Sequence, residues 1–284
     1  MNSAPKGRNL AGVIPLSGFN NSFDFPWPDY LRPLREGMLA VERSVYECAY
    51  AGCDSIWVVC NDDVAPLVRT RLGDYVMNPR YFQEKDFVKR KDYHEKWTPI
   101  FYTAVSQKDR DRRDSLAWTI LHGSLTSFVV SSKMSQWCIP TKYFVSFPQG
   151  IYHPGLVSEY KDDIRGPHSF FFSTNGKTVR DNKYTAFTFF PEDWPKFKHN
   201  AKGLCTGGDK SIPFQERWSS KNITLDKMFD LSVISKDKVI EVGEYYDLDS
   251  WDSLRDYYKS DIKIPRLSKQ FMKPYKFKGG IENE

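Results

Sequence analysis

The chain has 284 residues, of which 40% are hydrophobic and 15% aromatic, so it can bury a substantial core. Its 41 Lys and Arg residues exceed its 36 Asp and Glu residues only slightly, and the resulting net charge of +5 does not by itself indicate a nucleic-acid-binding protein. No apolar stretch approaches the roughly 18 residues of a membrane-spanning helix, and the five cysteines lack C-x-x-C spacing, which predicts a cytoplasmic protein without disulfides or a membrane partner.

The first predicted unit is a strand, a polar turn, a helix and a second strand. Residues 11–16 are apolar and predict a buried parallel strand, and residues 17–21 (SGFNN) follow as a turn of small residues. Four of these residues are predicted to bind an anion through their backbone N–H groups: Ser17, Gly18, Asn20 and Asn21. Pro33 fits the first turn of the helix, which keeps its apolar spacing until Gly52. With a strand at residues 55–60, this βαβ unit leaves the turn at the carboxyl edge of the sheet.

This opening stretch is similar to the amino-terminal signature of the sugar-phosphate nucleotidylyltransferases, a GT-A-like group that joins a nucleoside triphosphate to a sugar phosphate and releases pyrophosphate. Their signature runs from a hydrophobic strand to G-x-G-T-R, a short spacer, P-K and a helix. Laid without gaps on this chain, its first glycine falls on Gly18, its arginine on Ser22 and its lysine on Asp29. The frame is therefore kept, whereas the two cations that face the triphosphate are not.

The resemblance implies an α/β fold with three layers, α/β/α, around a mixed, mostly parallel central sheet. The chain is predicted to form one nucleotidyltransferase-like domain of residues 1–262, in which residues 74–97 look like an insertion, and the resemblance covers residues 10–260 of it. Within that domain the sequence also predicts a short helix at residues 64–72, a third strand at 98–105 and a helix at 114–122 that ends before Gly123.

The densest charge cluster lies between the third strand and the following helix, at residues 106–114 (SQKDRDRRD). In the resembling enzymes this loop holds the nucleobase and the substrate. One interpretation is that its cations grip a phosphate while Asp111 or Asp114 caps the helix; these cations are Lys108, Arg110, Arg112 and Arg113. The other interpretation is that the alternating acids and bases neutralise each other on an exposed helix start.

A fourth strand is predicted at residues 127–131 (SFVVS). In the resembling enzymes a G-D pair ends this strand, and its aspartate binds the Mg²⁺ that bridges the substrate phosphates. This chain has Ser132 and Lys133 there. The first metal aspartate is therefore predicted to be replaced by Ser132.

The remaining predicted elements are short. An edge strand is predicted at residues 141–147, and Asn175-Gly176 predicts a hairpin turn. Further strands are predicted at residues 168–173, 185–190 and 238–242, and short helices near 191–197 and 224–231.

Residues 245–254 (YYDLDSWDSL) resemble a second family segment, W-L-D-T-G-T-x-x-S-L, in which a strand end supplies the second metal aspartate before a helix. Asp247 falls on that aspartate, and Asp249 is its neighbour on the same turn. The resemblance implies that Asp247 and Asp249 bind Mg²⁺ if the protein is active. The alternative is that these acids only favour a helix amino terminus that Ser250 or Asp252 caps.

Two functions stay open. The first is a nucleotidyltransferase-like protein that binds a nucleotide or nucleotide sugar and transfers a nucleotidyl group to a sugar phosphate, with Arg112, Arg113 and Asp247 as catalytic residues. The second is a catalytically silent module of the same fold that contacts nucleic acid or protein through the basic segments 85–96 and 263–278, the latter in a tail of residues 263–284.

One distance distinguishes these two functions. An ion pair between Lys133 and Asp247 would favour the silent module, because the lysine would replace the metal. An open cleft with Arg112 or Arg113 opposite the aspartates would favour the enzyme. Divergent transferases of this kind also suggest a phage as the source.

Overall fold

The computed structural model of the protein describes residues 9–16, 28–77, 79, 97–105, 107–110, 112–214, 216–220, 223–229 and 237–264. The turn at residues 17–21, most of the predicted insertion and all but the first two residues of the basic tail lie outside these ranges. The division into one domain of residues 1–262 and a tail stays a prediction.

A mixed sheet of eight strands forms the centre of the described chain, in the order β3-β4-β2-β1-β5-β8-β7-β9. Its strands are β1 (Leu10–Pro15), β2 (Ser55–Val59), β3 (Tyr75–Met77), β4 (Trp97–Thr103), β5 (Lys142–Val145), β7 (Phe170–Ser173), β8 (Phe187–Phe189) and β9 (Lys238–Glu241). Only β3 and β8 run against the others. A separate antiparallel pair joins β6 (Gly150–Ile151) to β10 (Tyr246–Asp247).

Helices cover both faces of this sheet. They are α1 (Ala40–Tyr50), α2 (Ala65–Leu72), α3 (Gln107–Arg110), α4 (Leu116–Met134), α5 (Leu156–Glu159), α6 (Lys161–Ile164), α7 (Trp194–Gly203) and α8 (Trp251–Lys259). Alternate residues of β1 enter opposite cores: Ile14 packs with α1 and α8, whereas Val13 packs with α4 and α7. The predicted three-layer α/β/α fold with a mostly parallel sheet is confirmed. None of the described helices combines the length and apolar character needed to cross a membrane.

The prediction for residues 127–131 was wrong, because they belong to α4 rather than to a strand. Their β-branched and aromatic residues favour a strand locally, but α4 runs through Gly123 and lies directly on the sheet. A Cβ atom at Gly123 would lie 2.6 Å from the Val59 side chain and 2.9 Å from that of Val13. Gly123 therefore permits a close helix approach instead of ending the helix.

The strand after α4 is β5, which was predicted to lie at an edge. It instead pairs with β1 on one side and β8 on the other, and all four of its residues are buried. From β1 the chain passes through α1 to β2, on one side of β1. Later α4 brings the chain back to β5, on the other side of β1, so the direction of the connections reverses between β1 and β5. In open α/β sheets such a switch point forms a crevice outside the carboxyl ends of the strands.

Three predicted helix boundaries were also wrong. Pro33 lies outside α1, where it bridges to Leu39, and the helix begins only at Ala40. Ser115, rather than Asp114, caps α4 by accepting a hydrogen bond from the Trp118 N–H. The helix predicted near residues 224–231 is a single 3-10 turn at Asp226–Met228 in the described part.

Candidate functional site at the carboxyl edge of the sheet

The opening turn was predicted to bind an anion through Ser17, Gly18, Asn20 and Asn21, all of which lie outside the described residues, so that role stays a prediction. The flanking structure agrees with the proposed frame. The strand β1 lies in the centre of the parallel sheet, and the chain resumes at Pro28 and enters a 3-10 turn at Asp29–Leu31.

The arginine cluster, here Arg110, Arg112 and Arg113, lies where the chain leaves β4. Arg110 forms ion pairs with Asp62 at 2.6 Å and Asp63 at 3.5 Å, both just after β2. Arg113 lies 3.6 Å from Asp109 and 4.8 Å above the Trp118 ring.

The guanidinium of Arg112 lies 5.1 Å from the centre of the Phe214 ring. Acidic or aromatic neighbours therefore contact each of these three arginines. The Arg113–Asp109 pair lies within the segment, as the self-neutralising interpretation expects, whereas Arg110 pairs with acids outside it. Lys108 lies on α3, but its side chain is outside the described part. A phosphate-binding role for Lys108, Arg112 and Arg113 stays a prediction.

A second group of charges surrounds Asp247 at the end of β10. The ammonium of Lys183 donates to Asp247 Oδ2 at 2.5 Å, and the Tyr245 hydroxyl donates to Asp247 Oδ1. Both carboxylate oxygens therefore have a protein donor. The Asp247 side chain is 13% exposed and that of Lys183 is 33% exposed, so the pair lies in a half-buried position.

The backbone around Lys183 fixes the position of this lysine. The Thr178 side chain and Asp181 form a capping box on the 3-10 turn Val179–Asp181, and Asn182 follows in the left-handed conformation with φ 59°. The next residue after Lys183, Tyr184, donates its backbone N–H to the Tyr245 hydroxyl at 3.0 Å. The lysine and tyrosine that hold Asp247 are therefore connected to each other.

Gly150 makes this arrangement possible. It pairs with Asp247 across the β6–β10 ladder, and a Cβ atom at position 150 would lie 2.1 Å from the Tyr184 carbonyl oxygen. Only a residue without a side chain fits this close backbone approach. Gly150 follows β5 closely, so the ladder places Asp247 at the carboxyl end of that strand.

A third charged pair comes from the chain that follows β1. Arg32 is 1% exposed; it donates to Asp29 Oδ1 at 2.6 Å and to the Leu248 carbonyl oxygen at 2.5 Å. Burial raises the pKa of Asp29, although the Arg32 charge opposes the shift. Arg32 thus joins the segment after β1 to the turn that carries Asp247 and Asp249. In the gapless frame, Asp29 occupies the position of the family's lysine, and Arg32 lies one helical turn later.

The three aspartates lie close enough together to influence one tyrosine. The pKa of Tyr184 is raised to about 12 by burial, the largest cause, together with the charges of Asp249, Asp247 and Asp29 in that order. Asp249 is the most exposed of the three aspartates. The pKa of its carboxyl is raised, first by partial loss of hydration and then by the charge of Asp247. We call the group of Asp29, Asp247 and Asp249, with Arg32 and Lys183, the aspartate cluster.

The resemblance implies a divalent cation at Asp247 and Asp249, and the donor set does not fit one well. Both oxygens of Asp247 already accept hydrogen bonds from Lys183 and Tyr245. The strand that corresponds to the family's fourth strand is β5, and residues 146–149 after it (SFPQ) include no acid. Over the described ranges, no group of three His, Cys, Asp or Glu side chains is arranged to hold a metal ion.

One prediction about this metal site was therefore wrong, and one test has its outcome. Ser132 does not occupy the position of the first metal aspartate, because it lies exposed on α4 and donates to the Val129 carbonyl. Lys133 does not pair with Asp247 either; Lys183 does. The assignment of Asp247 and Asp249 as metal ligands stays a prediction that this geometry disfavours.

Sequence reasoning missed the cations and hydroxyls that complete the site, namely Arg32, Lys183, Tyr184 and Tyr245. Tyr245 was part of the quoted motif, and Arg32 follows Asp29 at a spacing of three residues, which would have suggested an ion pair. Lys183 carries no local signal, since its partner is 64 residues away in the chain.

Comparison with known proteins supports the fold. No protein-family model matches the chain, and no curated protein matches it. A protein assigned as a glucose-1-phosphate thymidylyltransferase from Bacillus anthracis, solved in complex with sucrose, is 10% identical, with a TM-score of 0.56 over 90% of this chain and 98% of that chain. A nucleoside-diphosphate-sugar pyrophosphorylase from Vibrio cholerae RC9 is 13% identical, with a TM-score of 0.50 over 88% of this chain and 100% of that chain.

At such low identity the similarity shows the fold alone. Both of these solved proteins are named as enzymes of sugar nucleotide metabolism, the class that the opening motif resembles. A phage origin stays a prediction.

Proposed function

We propose that this protein binds a nucleotide or a nucleotide sugar in the crevice above the carboxyl ends of β1 and β5. The observation that carries the proposal is the position of the aspartate cluster at the switch point of the sheet. Asp29 and Arg32 follow β1, and the β6–β10 ladder holds Asp247 next to the end of β5. Ligands of open α/β sheets bind at such switch points.

The chemistry of the cluster suits a ligand that is rich in hydroxyl groups. Carboxylates such as Asp249 accept hydrogen bonds from ribose or sugar hydroxyls, while the ammonium of Lys183 donates to oxygen atoms. The partly buried Tyr184 and Tyr245 provide apolar ring surface beside these polar groups. Side chains of this composition can fix a sugar by several directed hydrogen bonds.

A thermal-shift panel tests the binding proposal. The panel contains nucleoside triphosphates and nucleotide sugars, and the proteins are the wild type, Asp247→Asn and Asp252→Asn. Asp252 is the matched control, because its side chain is 81% exposed on α8, where it pairs with Arg255 at 3.0 Å. At least one ligand should raise the melting temperature of the wild type and of Asp252→Asn, since a ligand that binds the native state stabilises it.

Asp247→Asn should lose that shift. If no ligand in the panel moves the melting temperature of the wild type at millimolar concentration, the binding proposal is wrong. The silent module that contacts nucleic acid or protein would then be favoured. Its basic segments, 85–96 and 263–278, lie outside the described residues apart from residues 263 and 264.

Nucleotidyl transfer to a sugar phosphate is the finer form of the proposal. In that reaction a sugar-phosphate oxygen attacks the α-phosphate of a nucleoside triphosphate and pyrophosphate leaves, so the charge on the phosphates must be compensated. We propose Arg112 and Arg113 for this task. Pyrophosphate release from a nucleoside triphosphate and a sugar 1-phosphate should then fall in Arg112→Met and Arg113→Met. Binding without any release in the wild type would leave only the binding function.

A further inference from the structure

The Asp247 carboxylate has both its oxygens engaged by donors of the same chain. The ammonium of Lys183 lies 2.5 Å from Oδ2, and the Tyr245 hydroxyl donates to Oδ1. A metal ion would have to bind through these same two oxygens. We propose that Lys183 is a resident cation that takes the place of a divalent metal at Asp247.

The position of Lys183 is built into the fold. Its backbone N–H donates to the Thr178 carbonyl at 3.1 Å. The neighbouring Asn182 side chain accepts from the backbone N–H of Asp226 at 3.1 Å. A lysine on a tight, hydrogen-bonded turn loses less freedom on pairing than a lysine on an exposed helix, so its ion pair is the more persistent one.

The partner side of the pair is equally fixed. The Tyr245 hydroxyl accepts from the Tyr184 N–H and donates to Asp247, so its single proton is committed to the carboxylate. A metal ion at Asp247 would compete with this hydroxyl and the ammonium for the two carboxylate oxygens. It would also lie within a few ångströms of the ammonium charge in a half-buried site, where like charges repel strongly.

The second requirement of a divalent site is a further acid at the end of β5, and residues 146–149 supply none. Asp29, another acid of the aspartate cluster, already pairs with Arg32 at 2.6 Å. The positive charge in the crevice is thus carried by side chains. If the proposed function holds, the nucleotide or nucleotide sugar should therefore bind without a divalent metal. The Lys183 ammonium has three N–H donors, and the hydrogen bond to Asp247 uses only one of them.

Direct metal binding tests the inference without any nucleotide. Mn²⁺ is titrated into the full-length wild type, Lys183→Met and Lys183→Arg, and the bound fraction is measured by electron paramagnetic resonance. Lys177→Met is the matched control, because Lys177 is exposed on the nearby hairpin turn. The wild type, Lys183→Arg and Lys177→Met should show no specific site. Lys183→Met should bind Mn²⁺ about tenfold or more tightly than the wild type, because Asp247 regains a free oxygen beside the exposed carboxylate of Asp249.

Mn²⁺ binding by the wild type that Asp247→Asn removes would overturn the inference. This outcome does not require Lys183→Met to fold. The inference would also be overturned if Lys183→Met folds, as judged by circular dichroism, but binds Mn²⁺ no more tightly than the wild type.

A ligand measurement separates this inference from the proposed function. Any nucleotide or nucleotide sugar that stabilises the wild type is tested again with excess EDTA and with Mg²⁺. Equal shifts in the melting temperature support a metal-independent site, and a shift that EDTA abolishes contradicts it. If no such ligand binds at all, the proposed function fails, while the Mn²⁺ titration still decides whether Lys183 replaces the metal.

Discussion

The arginine cluster and the aspartate cluster lie at the same edge of the sheet, yet burial gives their charges different roles. Arg110 pairs with Asp62, whose side chain is 61% exposed, whereas the Arg32 side chain that pairs with Asp29 is 1% exposed. Exposed ion pairs contribute little to stability, while removal of one partner from a buried pair leaves an uncompensated charge. The density of charge in a sequence is therefore a weaker guide to a site than the burial of a few separated residues.

The largest expected effect comes from breaking the buried pair. Arg32→Met should lower the free energy of unfolding by about 3 kcal/mol at neutral pH, because Asp29 loses its partner cation and the Leu248 carbonyl loses a donor. Urea denaturation measures the difference. If Arg32→Met loses no more free energy of unfolding than a variant of an exposed ion pair, burial does not distinguish the aspartate cluster from the arginine cluster.

The pH dependence of the same variant sharpens the test. Burial already raises the pKa of Asp29 above its ordinary value of 3.8, and loss of Arg32 raises it further. The native state then binds a proton more readily than the unfolded state, so the stability missing from Arg32→Met should return as the pH falls toward 3.8. A deficit that stays constant over this range would contradict the assigned cause.

The next effect concerns the backbone approach that supports Lys183. Gly150→Ala should cost about 1 to 3 kcal/mol, because the new Cβ atom collides with the Tyr184 carbonyl and the strand or the turn must move. Gly243→Ala is the control, since a Cβ atom there meets nothing within 4 Å. Thermal denaturation should separate the two variants clearly, and equal melting temperatures would argue against this close contact.

A smaller effect is expected for the hydroxyl that holds Asp247. Tyr245→Phe should lose about 1 kcal/mol, because both the Tyr184 N–H and the Asp247 carboxylate lose a hydrogen-bond partner. Tyr258→Phe removes a hydroxyl that donates to the Pro33 carbonyl at an exposed position, where water can replace it. Chemical denaturation should therefore show that Tyr245→Phe is less stable than Tyr258→Phe. The reverse ranking would mean that the Tyr245 hydroxyl does not stabilise the fold through Asp247 and Tyr184.

The smallest effect should come from the arginine cluster. Arg110→Met should change the free energy of unfolding by less than about 1 kcal/mol, since Asp62 and Asp63 remain exposed to water without their partner. The same urea titration used for Arg32→Met gives this value. A loss as large as that of Arg32→Met would mean that the pair does more than neutralise exposed acids.

Local patterns determined the first βαβ unit of the fold. The apolar run of β1, the helical spacing of α1 up to Gly52 and the apolar β2 each depend on neighbours within a few residues, so the sequence predicted them in the right order. A continuous apolar run and a helical spacing of apolar residues are properties of the chain itself, and they need no knowledge of distant segments.

The tertiary structure decided the rest. The sequence of residues 127–131 is compatible with a strand, and only the close approach of Gly123 to Val13 and Val59 shows why a long helix covers the sheet there. The partner of Asp247 was likewise set by the fold, which brings Lys183 across 64 residues while Lys133 lies exposed on α4. Local propensity reaches only a few residues along the chain, whereas the charge state of a carboxylate depends on whatever the folded chain places beside it.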